Sequence, residues 1–416
     1  MKILQINNFE DISGGSDRVY QLTTSMLLDR GHDVATLSCG EHSFDLRKTT
    51  VLLPRNGYFS INPFRTISNI RDFVYRPEAS LAIEDLVRLF KPDIAHLHIF
   101  YGQLSSSVIA TLRRLQVPCV MTVHEYRLLC PISTLYTQHQ GVCERCASGE
   151  KRHAVALRCN RNSLFASALS AGESWVRDHY FNYLDHIDHF FMVSEFCRDK
   201  HAEYLPKIRE QSSVLYNFIG DLDVAETPEP VAPDAPFLYA GRLSHEKGVA
   251  LLCSAFRDRP HLRLRIAGDG ALAKSLKTDF SDCTNIEFLG KLNSAALKQE
   301  MRQAKFSVVP SEWYENNPMS ILESFGNGTP VLGSDIGGIP ELVLPGSTGL
   351  IFPRSDKSAL LRTLDEAHAM PTELRDSMGR EALTMIRRRH SESAYCNRLI
   401  EGYAEVIQKF TSKTKK

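Results

Sequence analysis

The chain has no excess of charge of either sign: 49 lysines and arginines balance 49 aspartates and glutamates. Net charge therefore gives no argument for nucleic acid, and any basic surface must be local. No stretch approaches the roughly 18 consecutive apolar residues of a membrane-spanning helix. The N-terminal MKILQINNF is a short strand-like run that soon meets Ser13-Gly14-Gly15, without the longer apolar core of a secretory signal. A cytoplasmic chain, acting there or at the inner face of a membrane, is the expectation. Also missing is the dinucleotide fingerprint: SGGSDR after the first strand lacks the G-x-G-x-x-G order, and no suitably spaced acid compensates. Hydride transfer is thereby disfavoured.

What is present is an ordinary globular composition. The 416 residues are 43% hydrophobic, enough for two or three domains with cores of their own. Apolar strand-like runs alternate with amphipathic helical runs, the pattern of a parallel sheet covered by helices. One set of strands is expected at 2–7, 33–38, 94–98, 119–123, 189–193 and 213–216, with helices near 18–30, 84–90 and 104–115. A second set is expected at 237–240, 263–267, 286–289, 306–309, 331–334 and 349–352. Between them DLDVAETPEPVAPDAP, rich in proline and acid, suits an exposed linker. The expected division is an N-terminal domain over 1–218 with a cysteine-bearing insertion near 130–159, a linker over 219–236, a C-terminal domain over 237–393, and a terminal helix within 394–416 packing back on the first domain. Two doubly wound sheets would place a ligand in the cleft between them.

The densest chemistry lies in PSEWYENNPMSILE, where seven residues separate Glu315 from Glu323. Pro318 is expected at the first helical position with Asn317 as N-cap, so that Glu315 falls in the loop and Glu323 in the helix. Free amides at such a helix start favour an anion, and a carboxylate accepts paired hydrogen bonds from vicinal hydroxyls. One glutamate would hold a hexose and the other a ribose. Alone, the pair is as consistent with an ordinary solvated helix. After the first strand of the second set stands YAGRLSHEKG, where Arg242 and Lys247, five apart, can grip a diphosphate from two sides.

The ordered series GRLSHEKG, RIAGDG, IEFLGKL, PSEWYENNPMSILE and GTPVLGSDIGGIPELV resembles the nucleotide-sugar-binding half of glycosyltransferase family four, retaining enzymes of the GT-B fold. The likeness is dense over 237–352. It is looser through Gly14-Gly15, PDIAHLH and TVHEYRLLCP, in the manner of bacterial surface-polysaccharide glycosyltransferases. The resemblance implies two Rossmann-like doubly wound α/β domains facing across an interdomain cleft. It implies that Arg242 and Lys247 neutralise the donor diphosphate, Glu315 holds donor-sugar hydroxyls and Glu323 binds the ribose. The backbone of Leu289–Leu292 would flank the base, and amides around Asn316–Met319, those of Asn316, Asn317 and Met319 among them, would meet sugar and distal phosphate. Gly15 would let main chain approach the phosphate, and His124 would sit on the acceptor side, positioning or polarising sugar groups. The partners implied are a nucleotide-diphosphate-sugar donor and a glycan or lipid-linked acceptor. No cofactor is needed for catalysis, because two cations and a helix N-terminus supply the positive potential. A nucleotide-sugar epimerase of the same fold, or a binding protein without activity, are the alternatives; the intact set of four charged residues disfavours both.

Two segments stand apart. Cys130, Cys143, Cys146 and Cys159, four of ten cysteines, are separated by twelve, two and twelve residues around CERC. Four thiolates in this spacing can complete a structural zinc shell; unlinked thiols are the alternative, and disulfides are disfavoured in a reducing compartment. The aromatic LFASALSAGESWVRDHYFNYLDHIDHFFMV is expected mainly as core, with an acceptor wall or peripheral membrane contact as alternatives, and Arg387–His390 as a solvated basic face.

Overall fold

A computed structural model of the chain describes residues 1–57 and 63–414. The last two residues of the expected terminal segment lie outside that range. Two parallel sheets form the molecule. In the N-terminal domain β1 (Lys2–Phe9), β2 (Asp33–Cys39), β3 (Thr49–Leu53), β4 (Ile94–Leu97), β5 (Cys119–Val123), β8 (His189–Met192) and β9 (Ser212–Val214) lie in the order β3-β2-β1-β4-β5-β8-β9. The short β6 (Tyr136–Thr137) and β7 (Gly141–Val142) pair antiparallel in the cysteine-bearing insertion. The C-terminal sheet comprises β10 (Phe237–Ala240), β11 (Leu264–Ala267), β12 (Ile286–Gly290), β13 (Ser307–Val309), β14 (Val331–Ser334) and β15 (Gly349–Phe352), ordered β12-β11-β10-β13-β14-β15.

Each sheet reverses its winding beside its first strand, between β1 and β4 and between β10 and β13. Beyond the carboxyl ends of these strands a crevice is left for ligand. The central strands are buried on both faces because helices cover both sides; β14 is buried throughout, and β1 buries Ile3, Leu4 and Ile6 together with the polar Gln5, Asn7 and Asn8. Six helices matter for the site: α1 (Gly15–Asp29), α2 (Leu164–His179), α3 (Glu195–Tyr204), α4 (Met319–Gly326), α5 (Thr372–Arg389) and α6 (Glu392–Thr414).

The chain crosses from the second domain back to the first through α5 and α6. Tyr395, Leu399, Tyr403 and Val406 of α6 share an apolar cluster with Ile3, Ile94, Val120 and Phe191 of the N-terminal sheet. Burying four such side chains contributes several kcal/mol, at about 25 cal/mol per Å2 of apolar surface. The basic run at the end of α5 is only partly a solvated face. Arg387 donates to the linker carbonyls of Ala225 and Glu226, and His390 is buried with Nδ1 2.8 Å from the Asn217 carbonyl oxygen. No helix among the described residues is long and apolar enough to cross a membrane.

Candidate active site

A cavity of about 480 Å3 opens between the domains, at the carboxyl ends of both sheets. Gly15, His124, Arg242, Lys247, Glu315, Asn316, Asn317 and Met319 all line it. Leu292 and Glu323 do not. Leu292 is half-buried against the Leu238, Ala267, Met301 and Ala304 cluster, and Glu323 opens on a smaller cavity with Arg18, Asp223 and Lys298.

The centre of the cleft is an ion pair. Lys247 Nζ lies 2.6 Å from Glu315 Oε1, which also accepts a 2.7 Å hydrogen bond from Ser311 Oγ. Burial works against the Glu315 carboxylate, but attraction to Lys247 and these hydrogen bonds outweigh it and hold the carboxyl below its ordinary value. Two glycines make the geometry possible. Gly248, at φ +67°, ends the turn carrying Lys247, and any side chain there would overlap the Pro310 carbonyl. Gly337, at φ +63°, lies against the Glu315 backbone, while the Gly338 amide donates to the Glu315 carbonyl at 2.6 Å. Left-handed backbone and close approach both require glycine at these two positions. Arg242 has no carboxylate within ion-pair distance among the described residues and reaches over the cleft towards the Gly14 backbone. It is a forked cation without a counter-ion.

The start of α4 differs from the sequence expectation. Pro318 is the N-cap, with extended ψ of 119°, and Met319 is the first helical residue. Asn317 does not cap the helix: its Oδ1 accepts from the Asn217 amide at 3.2 Å, and Asn217 Nδ2 donates to the Asn317 carbonyl at 3.0 Å. Contact with the other domain has displaced a local cap. Met319 and Ser320, the first two residues of α4, line the cleft, and their amides lack the intrahelical acceptor that Ile321 and Leu322 find in the Pro318 carbonyl. Of the residues lining the cleft, Tyr126, Asn217, Asn316 and Asn317 each bury a side-chain polar atom, Oη, Oδ1, Oδ1 and Nδ2 in turn, that has no hydrogen-bond partner among the described residues. Orphaned groups are scarce in folded proteins, and their gathering on residues of one cavity wall suits the place to a polar ligand.

On the N-terminal side His124 follows β5, and its environment fixes its protonation. Gln5 Oε1 can only accept, so His98 Nε2, 2.9 Å away, carries a proton. Burial pushes His98 well below its ordinary value, so its Nδ1 is a bare acceptor. His124 Nε2, 2.9 Å from that atom, must then donate. Burial also pulls His124 down to about 3, leaving a neutral ring whose Nδ1 is free to accept from a hydroxyl. Such a ring can accept a hydrogen bond from a hydroxyl but is a weak base. The His124 carbonyl accepts from Asn316 Nδ2 at 2.8 Å, tying the two domains directly at the cleft.

Gly15 opens α1 behind the N-cap Gly14, and a side chain at Gly15 would come within 3.4 Å of Met319. The preceding loop is pinned by buried Asp17, which accepts from the Ser13 amide at 3.0 Å, the Ser13 hydroxyl at 2.6 Å and Asn7 Nδ2 at 3.0 Å. One turn on, Arg18 Nη1 pairs with Glu323 Oε1 at 2.7 Å and Nη2 with Asp223 at 3.2 Å. Burial raises the Glu323 carboxyl despite this partner. The linker holds an aspartate-x-aspartate pair, Asp221 and Asp223, but Asp223 is taken up by Arg18 and Lys298.

Cys130, Cys143, Cys146 and Cys159 are free thiols. Burial and the adjacent Cys130 thiol push Cys146 up to about 12 and Cys159 up to about 11, so both are protonated at neutral pH. Among the described residues no group of three or more His, Cys, Asp or Glu side chains is placed to hold a metal ion.

Asp17, Arg18, Gln5, His98 and Ser311 were not singled out from the sequence. His96 and His98 alternate along a strand end in PDIAHLH, and Arg18 ends SGGSDR, so the signal lay in segments already of interest.

Comparison with known proteins agrees with this geometry. Residues 13–221 match the family described as Glycosyltransferase Family 4, and residues 228–385 match Glycosyl transferases group 1. The chain belongs to glycosyltransferase family 4. Its two sheets are those of the GT-B fold: sucrose-phosphate synthase from Thermosynechococcus elongatus superposes at a TM-score of 0.73 with 18% identity, covering 98% of this chain and 99% of that one. The Anabaena protein HepE, in complex with UDP and glucose, gives 0.69 with 16% identity over 97% and 99%. Among curated relatives, the O-antigen biosynthesis glycosyltransferase WbnH of Escherichia coli is 40% identical over 106 residues, 26% of this chain. That match spans only 30% of the relative's own length.

Proposed function

We propose that this family 4 enzyme transfers a hexosyl or related sugar, with retention, from a nucleotide-diphosphate-sugar donor to a glycan or lipid-linked acceptor in bacterial surface-polysaccharide assembly. The observation that carries the reading is the cleft itself, lined by the Lys247–Glu315 pair and by Arg242, which has no carboxylate partner among the described residues. UDP in the HepE complex, and the O-antigen role in the name of WbnH, support donor class and setting.

Arg242, Lys247 and the α4 amides stabilise the diphosphate as it departs, without a cofactor. Glu315, kept ionised by Lys247, accepts donor-sugar hydroxyls, and His124 Nδ1 accepts another. Glu323 takes the ribose diol, sharing it with Arg18. A second cavity of about 290 Å3 shares Ile99 and Glu125 with the first and is walled by Tyr101, Arg127, Asn160 and Leu169. It suits the acceptor: Arg127 Nε is buried there without a partner. Leu169 and Ser170 of α2 line that cavity, whereas Leu164 and Trp175 of the same helix are exposed. A bilayer surface against the exposed side would bring a lipid-linked acceptor to the cavity.

The test is a thermal-shift survey of UDP-glucose, UDP-galactose, UDP-N-acetylglucosamine and GDP-mannose. A donor at a hundred times its dissociation constant stabilises by about 2.7 kcal/mol. No shift with any nucleotide sugar, for a protein that melts cooperatively, would overturn the donor reading. Glu315→Gln should lower turnover more than affinity for the nucleoside diphosphate; the reverse pattern would exchange the roles of the two glutamates.

A further inference from the structure

The cysteine-bearing insertion has no part in the donor chemistry set out above, yet it spans the cleft. Its β6–β7 hairpin reaches the C-terminal domain. Tyr136 Oη donates to Glu312 at 3.4 Å, and Gln138 Nε2 lies 2.8 Å from His245 Nε2, two residues before Lys247. Between Cys143 and Cys146, Glu144 accepts from Tyr314 Oη at 2.6 Å and from Tyr204 Oη at 2.5 Å, and pairs with Lys200 at 3.0 Å. Tyr314 immediately precedes Glu315. Its ring packs on Phe196, with centroids 5.0 Å apart, and joins the apolar cluster of Tyr126, Leu129, Cys130, Leu135 and Ala147. The loop that presents Glu315 is thus gripped from two sides: by Gly337 and Gly338 within its own domain, and by the insertion from the other.

We propose that Glu144, carried on the Cys-x-x-Cys turn, is a positioning residue that holds Glu315 in place across the cleft through Tyr314. The proposal rests on Glu315 meeting the donor sugar as set out above. The four-cysteine lobe is then a strap that assembles the sugar end of the donor site, while Arg242 and Lys247, the diphosphate grip, are themselves carried by the C-terminal domain. The strap is held by the Tyr204 and Tyr314 hydroxyls, which both donate to Glu144, and by the Lys200 ammonium beside it. Charge-assisted bonds of this kind are directional, and an orientation lost at a reacting centre is felt in rate before affinity.

The experiment compares Glu144→Gln, Tyr314→Phe and Tyr204→Phe with the wild type. The probe is whichever of UDP-glucose, UDP-galactose, UDP-N-acetylglucosamine or GDP-mannose most raises the wild-type melting temperature. Two quantities are read: acceptor-free hydrolysis of that nucleotide sugar, and affinity for the matching nucleoside diphosphate. Glu144→Gln and Tyr314→Phe should each slow hydrolysis at least tenfold with diphosphate affinity within twofold, and the double variant should be no slower than the worse single one. Tyr204→Phe, which removes an equal bond from Glu144 without touching Tyr314, should stay within twofold of wild type in both. Unchanged hydrolysis in Tyr314→Phe, an equal fall in rate and diphosphate affinity, or a Tyr204→Phe loss as large as the others would each overturn the proposal. Tyr314→Phe keeps its ring in the cluster, so it decides the matter even if Glu144→Gln fails to fold. A wild type that binds none of the four sugars would instead remove the donor reading on which the proposal stands.

Discussion

Lys247→Ala leaves Glu315 as a charge without its counter-ion in the middle of the cleft. Lys247 keeps 24% of its side chain in solvent and Glu315 only 8%. Removing one member of a fully buried pair costs about 3–5 kcal/mol, because the survivor stays charged and unpaired. Lys247 is partly solvated and Ser311 still donates to Glu315, so the loss here should be nearer about 1–3 kcal/mol. The pH dependence identifies the cause. In the wild type the Glu315 carboxyl lies below its ordinary value, so its stabilisation is present above the unfolded value of about 4.3 and is lost as pH falls through the folded one. Without Lys247 burial dominates and the carboxyl moves up, so the penalty should be largest near pH 7.5 and shrink towards about pH 4.5. Urea unfolding at both pH values, with Glu315→Gln added, measures this: the double variant should be more stable than Lys247→Ala alone at pH 7.5. A penalty independent of pH, or two losses that simply add, would refute the buried-pair reasoning.

Three further outcomes follow from the same geometry. Gly337→Ala would drive a methyl into the Glu315 carbonyl and should cut donor turnover at least tenfold, whereas Gly346→Ala, also at positive φ but with nothing within 4 Å, should leave turnover near wild type; donor hydrolysis distinguishes them. Burial holds His96 and His124 at about 3 and His98 well below its usual value, so only the unfolded chain gains these protons as pH falls through about 6.5. Stability should therefore drop below pH 6.5 by about 1.4 kcal/mol per pH unit for each histidine, and His124→Asn should make that slope shallower in urea titrations. Half-buried Cys143 and Cys159 should react with a maleimide before buried Cys130 and Cys146, as read by peptide mass spectrometry.

Most of the two sheets was legible because a strand buried on both faces must be an apolar run. The segments at 119–123, 237–240, 331–334 and 349–352 are strands over those same residues. What escaped was weakly patterned: β3, TTVLL, is an edge strand whose residues are half-exposed or exposed, and β6 and β7 are two residues each. The charged core of the cleft was legible too, since Arg242, Lys247 and Glu315 stand beside glycines and a helix start that announce an anion site. Contacts between domains were not. Asn317 looks like an N-cap by local rules but binds Asn217, a hundred residues away in sequence. Arg18 meets Glu323 only because the domains face each other, and the protonation of His124 depends on Gln5 through His98. Nor does the cysteine spacing reveal that Glu144, between Cys143 and Cys146, reaches Tyr314 beside Glu315.

The central claim is that the cleft grips a nucleoside diphosphate through Arg242 and Lys247. Isothermal titration of the wild type and Arg242→Ala with UDP and UMP, or GDP and GMP where GDP-mannose is the stabilising donor, tests it directly. The account expects the wild type to bind the diphosphate at least tenfold more tightly than the monophosphate, and Arg242→Ala to lose most of that difference while its monophosphate affinity changes little. Equal preference for diphosphate in the wild type and the variant would contradict it.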